Sequence, residues 1–169
     1  IGSDLMYQKM WNQFPEHDIF ILHADMHPFK NGWWEEMLEY VDKYPEAGML
    51  GLLLLYPAQN DNYEHYIQCA GGQFTNGKPD HFGSGLILEN KSQFKQDLEV
   101  DDGRYLTVRE VAWTTFGGCY LRRSFLDTVG DFSPEYEWTY NRDVDYCLKA
   151  REAGERIYQI PVRLLHHES

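Results

Sequence analysis

The residues with the most chemistry to offer close a short apolar run, Asp18-Ile19-Phe20-Ile21-Leu22-His23-Ala24-Asp25. Four consecutive apolar residues bounded by polar ones predict a short strand buried on both faces, the kind found in parallel sheets flanked by helices. Ligands of open α/β sheets collect at the carboxyl ends of strands, so Asp25 stands where a metal or a phosphate-bearing ligand would be met. Its plainer role is to begin a turn, with His23 a core histidine. His23, Asp25 and His27 alternate, and on an extended backbone their side chains share one face, as a metal-dependent hydrolase site needs. Pro28 and the lack of a second nearby His/Asp cluster count against that site. Asp143 and Asp145 fall in the first turn of an expected helix, where carboxylates commonly offset the helix dipole. His166 and His167 follow the last apolar run.

These residues need elements to position them. Tyr7, Trp11 and Phe14 recur at helical spacing over residues 4 to 13, behind Ser3 as a cap. A second helix is predicted over 31–43, capped by Asn31 and presenting Trp34, Met37, Leu38 and Val41, with Pro45 as its stop. The continuously apolar run 48–56 predicts a second buried strand, adjacent to the first at the centre of the sheet. Tyr66 to Phe74 reads as a strand broken by Gly71-Gly72, while 75–105 is weakly periodic and fits a surface excursion or an active-site loop. Strands are expected through Val111-Ala112-Trp113 and Cys119-Tyr120-Leu121, with Gly117-Gly118 between them. A short helix begins at Ser124 and stops at Gly130, a longer one spans 142–153 and stops at Gly154, and a last strand runs from Arg156 to Pro161. Alternating apolar strands and amphipathic helices predict an α/β fold with a mixed, mostly parallel sheet.

The 169 residues are enough for one domain, 1–169, and 43% hydrophobic with 15% aromatic residues supply a real core. A formal net charge of −12 repels nucleic acid and anionic lipid, and an anionic ligand would need a bridging cation. Three widely spaced cysteines, Cys69, Cys119 and Cys147, form no C-x-x-C pair, which fits a reducing, cytoplasmic setting. No apolar run approaches the roughly 20 residues of a transmembrane helix, and no secretory leader is visible.

Four blocks occur in order: Ile-Phe-Ile-Leu-His-Ala-Asp; Phe-Gly-Gly-Cys-Tyr-Leu-Arg-Arg-Ser-Phe-Leu-Asp-Thr-Val-Gly-Asp-Phe; Arg-Asp-Val-Asp-Tyr-Cys-Leu-Lys-Ala-Arg-Glu-Ala-Gly; and Leu-Leu-His-His-Glu-Ser. From about Asp18 to Ser169 the chain resembles family 2 inverting glycosyltransferases of the GT-A, Rossmann-like fold, and the third block is the most specific part. The resemblance implies transfer of a sugar, with inversion, from a nucleotide-diphosphate donor to a carbohydrate or glycolipid acceptor hydroxyl, assisted by Mn²⁺ or Mg²⁺. By motif, Asp25 matches the last acid of the metal-binding Asp-x-Asp element, His166 the late histidine that joins the metal, and Asp143 the catalytic base. Gly117 and Gly118 match the small-residue turn facing donor and acceptor. His23 stands in place of the first acid, and Arg142 in place of the Glu before the catalytic acid. The family's N-terminal nucleotide-binding strands have no counterpart, so the chain is expected to be the acceptor-side part, completed by a missing N-terminal half or a second chain.

The chemistry of these groups agrees with such roles. A diphosphate leaving a sugar develops negative charge that a cation held by carboxylate and imidazole can neutralise. An attacking alcohol needs a base, which a carboxylate at a helix start can supply. Asp145 is as easily a dipole partner as a ligand contact, and Trp138 either packs in the core or stacks on an acceptor sugar. A non-catalytic sugar-binding remnant is the remaining alternative.

Overall fold

The structure is a computed structural model that describes residues 3–57, 66–86, 103–133 and 141–167. Nine strands are described: β1 Ile19–Leu22, β2 Met26–Pro28, β3 Ala47–Leu55, β4 Ile67–Cys69, β5 Gly72–Thr75, β6 Lys78–His81, β7 Arg109–Glu110, β8 Gly118–Leu121 and β9 Arg156–His166. The helices are α1 Ser3–Gln13, α2 Trp33–Lys43, α3 Arg123–Val129 and α4 Arg142–Glu152. Trp138 lies outside the described residues.

The main sheet runs β1-β8-β3-β9-β2, with β4 on β3 and β7 on β9, while β5 and β6 form a separate hairpin. The fold is therefore α/β with a mixed sheet, but the expected mostly parallel pairing is corrected: only β3 and β9 pair in parallel among the described strands. The two apolar strands expected side by side are also separated, because β8 pairs antiparallel with β1 on one side and β3 on the other. The expectation of burial on both faces and a central place holds for β3 but is corrected for β1, an edge strand in which only Ile21 is buried and Leu22 is 40% exposed. An apolar run also carries no information on the direction of the neighbouring strand. Because β8 opposes both β1 and β3, and β9 parallels β3, strands β1, β3 and β9 still run the same way. Their carboxyl ends share one edge of the sheet.

All nine residues of β3 are buried, which makes it the spine of the core. The last strand does not stop at Pro161 as expected. It continues to His166 by skipping two residues in its pairing with β3, where Leu52 faces Ile160 and Leu53 faces Arg163. Proline has no N–H to give a ladder, so the irregularity falls where Pro161 sits. α2 and α4 both pack on β9, as expected of the helices over 31–43 and 142–153. Tyr7 and Trp11 of α1 pack on the core, whereas Phe14 is 51% exposed and leaves the expected stripe. Gly32 in the left-handed region, rather than Asn31, caps α2. Val111 to Trp113 is not a strand: β7 ends at Glu110, and Trp113 makes one bridge to Gly72.

Candidate metal centre

The chain turns back on itself immediately after β1. The N–H of His23 donates to Gly117 O at 3.0 Å, and the N–H of Met26 donates to His23 O at 3.1 Å, so Ala24 and Asp25 form the tip of a tight turn. β2 then pairs antiparallel with the end of β9, placing Met26 opposite His166, and the N–H of His167 donates to Asp25 O at 3.1 Å. Register alone thus brings Asp25 beside His166, across 141 positions of sequence (166 − 25).

One ligand atom from each of His23, Asp25 and His166 lies within 4.8 Å of the others, and all three residues are partly buried. His166 Nε2 stands 3.3 Å from Asp25 Oδ2. The other ring nitrogen, Nδ1, is 2.6 Å from Gln68 Oε1. An amide oxygen only accepts, so Nδ1 carries the proton and donates it. Nε2 therefore faces the Asp25 carboxylate with room for either a proton or a metal ion between them. Ligands about 2.1 Å from a common metal ion stand about 3 Å apart, close to this separation. His23 Nε2 lies 3.1 Å from Tyr7 Oη, which holds the second ring in place. Burial lowers the pKa of His23, and the charge of Asp25 opposes that shift, so the ring tends to be neutral and able to ligate.

Two imidazoles and one carboxylate form a donor set that suits Mn²⁺, Fe²⁺ or Zn²⁺ better than Mg²⁺, which prefers oxygen ligands. His27 is outside the cluster. It is exposed, and its ring meets that of His167 edge-on with centroids 4.8 Å apart. The shared face expected for His23, Asp25 and His27 requires an extended backbone, and the turn at Ala24-Asp25 removes it.

Asp143 sits in the first turn of α4, where its Oδ1 accepts from the N–H of Val144 at 2.9 Å. Its charge opposes the lowering of the pKa of both His23 and His81. Arg142 and Asp145 share that turn, and the N–H of Asp145 closes the first helical bond onto Asn141 O. Asn141 itself takes the left-handed conformation, with φ 79°, and stands at the N-cap of α4.

Gly117 and Gly118 are closely packed rather than open. A Cβ on Gly117 would meet Met26 Cε at 2.5 Å, and one on Gly118 would meet Leu164 Cδ1 at 2.5 Å. Their small size lets β8 and the His23 turn approach each other. A cleft of about 510 Å³ adjoins the cluster, lined by His166, Gln68, Tyr56, Thr115, Ser84 and His81 among others. Sequence reasoning passed over Gln68 and His81. Gln68 lies in a three-residue strand, and His81 lies in a stretch without periodicity; neither carries a local signal.

No family model and no curated protein matches the chain. Among the described residues, no helix is long and apolar enough to cross a membrane.

Proposed function

We propose that the chain is the acceptor-side part of a metal-assisted, inverting glycosyltransferase that uses a nucleotide-diphosphate sugar. The observation that carries this reading is the convergence of His23, Asp25 and His166 at the carboxyl ends of same-direction strands. His23, Asp25 and His166 hold the divalent cation. When bound, it offsets the charge that builds on the departing diphosphate.

The chain's own residues supply the remaining steps. Asp143 takes the proton of the acceptor hydroxyl. The acceptor oxygen attacks the anomeric carbon from the face opposite the diphosphate, and the electron pair of the breaking sugar–oxygen bond leaves with the diphosphate. Gln68 and Tyr7 fix the two imidazoles, and the cleft beside His166 receives substrate. Mn²⁺ suits the two-imidazole set better than Mg²⁺. Gly117 and Gly118 are proposed as donor or acceptor contacts on the motif resemblance, Arg142 as the replacement for the Glu before the catalytic acid, Trp138 as a stacking surface for an acceptor sugar, and Asp145 as either a ligand contact or a helix-dipole partner.

The hydrolase reading through His27 loses its third ligand to His166. Calorimetry with Mn²⁺ tests the metal site: Asp25→Asn and His166→Ala should each weaken binding at least tenfold, and unchanged binding in both overturns it. In the longer or reconstituted active form, Asp143→Asn should lower turnover roughly a hundredfold while Mn²⁺ affinity stays the same. Full transfer activity in that variant would remove Asp143 as the base.

A further inference from the structure

The hairpin β5–β6 lies apart from the main sheet, yet it is anchored against it. Gly72 exchanges backbone hydrogen bonds with its neighbours across the gap: its N–H donates to Trp113 O and its carbonyl accepts from Ala112, both at 2.9 Å. Trp113 is buried, and its Nε1–H donates to Gln73 O at 3.0 Å. Only glycine fits at position 72, because a Cβ there would meet Trp113 Cε2 at 2.3 Å and Asp80 O at 2.5 Å. The hairpin is therefore a fixed wall. Its last residue, His81, packs its ring edge-on against Trp113 at 4.6 Å between centroids and lines the same cleft as His166.

The hydrogen-bonding groups around this cleft are unequally occupied. Gln68 serves His166, and Thr115 Oγ1 accepts from the N–H of Gly117 at 3.1 Å. Neither His81 nor Ser84 has a side-chain hydrogen bond to any described residue, although both line the cleft and are accessible. No Asp, Glu, Lys or Arg is among the described lining residues. Asp25 stands 3.3 Å from the lining residue His166 in a chain of net charge −12, which disfavours an anion that no cation bridges.

We propose that His81 and Ser84 are specificity-determining contacts, holding hydroxyl groups of an uncharged sugar in the cleft beside the metal centre. An imidazole offers one donor and one acceptor, and a serine hydroxyl offers both, which matches the paired donor–acceptor character of sugar hydroxyls. The cleft's volume falls in the range that holds a small ligand. The choice of a sugar rests on the transferase reading, whereas the neutrality of the ligand rests on the lining itself.

The test follows histidine side-chain ¹H–¹⁵N spectra of the whole chain, with the His81 signals identified by their loss in His81→Gln. The probes are glucose, galactose, mannose and N-acetylglucosamine, with glucuronate and glucosamine as charged comparators. At least one neutral sugar should move the His81 signals, and glucuronate should move them less. His81→Gln and Ser84→Ala should each weaken that sugar about tenfold, the scale of one lost hydrogen bond. Zn²⁺ added to the same sample should move the His23 and His166 signals. If Zn²⁺ does so while no sugar touches His81, the cleft assignment is overturned and the metal centre stands. Sugar shifts without a Zn²⁺ response uphold the cleft contacts and overturn the metal centre. A stronger response to glucuronate than to every neutral sugar overturns the proposed selectivity.

Discussion

With Nδ1 donating to Gln68, the His166 ring can neither flip nor rotate without breaking a bond of 2.6 Å. That contact fixes which nitrogen faces Asp25, and such ligand-orienting partners typically carry 10- to 100-fold in metal affinity. Gln68→Leu keeps the volume and removes the acceptor, so Mn²⁺ binding by calorimetry should weaken by about that factor with the fold intact. The two lowered histidines, His23 and His81, make a second claim. Desolvation is the main cause for both, opposed in each case by nearby carboxylates that include Asp143. A base with a folded pKa below its unfolded value of about 6.5 binds more protons when unfolded. Stability is then complete above about pH 6.5 and declines as pH falls toward the folded values. Urea titrations of the metal-free chain between pH 7.5 and pH 5 should show this decline, and His81→Gln should make it shallower. An equal pH dependence in the variant would exclude His81 as a contributor.

At the scale of elements, the hairpin depends on a contact that no propensity reveals. Gly72→Ala pushes a methyl group into Trp113, and overpacking of this kind costs about 1–3 kcal/mol. Chemical denaturation should show a lower midpoint with an unchanged slope, and the His81 ring signals should move. The continuous apolar run made β3 readable, and amphipathic spacing did the same for α2 and α4, because both patterns record burial directly. The run in β1 located a strand but overstated its burial, since β1 lies at the sheet edge with Leu22 exposed. Pairing partners were another matter. β8 is four residues long, and nothing local says that it returns between β1 and β3. Pro161 read as a strand end because proline interrupts a ladder; the bulge that carries β9 on to His166 is a tertiary solution to that interruption. Asp25 and His166 were legible as partners because both follow apolar strands. His23 joined them only through the turn, and Gln68 only through the pairing of β4 with β3.

For the molecule as a whole, the cluster ties together the beginning and the end of the described chain. His23 and Asp25 belong to the turn after β1, and His166 ends β9, so the three candidate ligands meet only when β8, β3 and β9 have assembled in order. An unfolded chain has no such site, so the proposed metal affinity would add directly to folding stability. The gain follows RT ln(1 + [L]/Kd), or about 2.7 kcal/mol at a hundredfold excess over Kd. A net charge of −12 also opposes compaction, and a divalent cation relieves part of that repulsion wherever it binds. The two effects separate by mutation and by salt. Added NaCl screens the general repulsion in wild type and variant alike, whereas site binding requires Asp25 and His166. Thermal unfolding should therefore show a Tm increase with Mn²⁺ that persists at 0.5 M NaCl in the wild-type chain and is absent from Asp25→Asn. A Tm increase of equal size in both proteins would assign the effect to diffuse charge screening and leave the three ligands without a common ion.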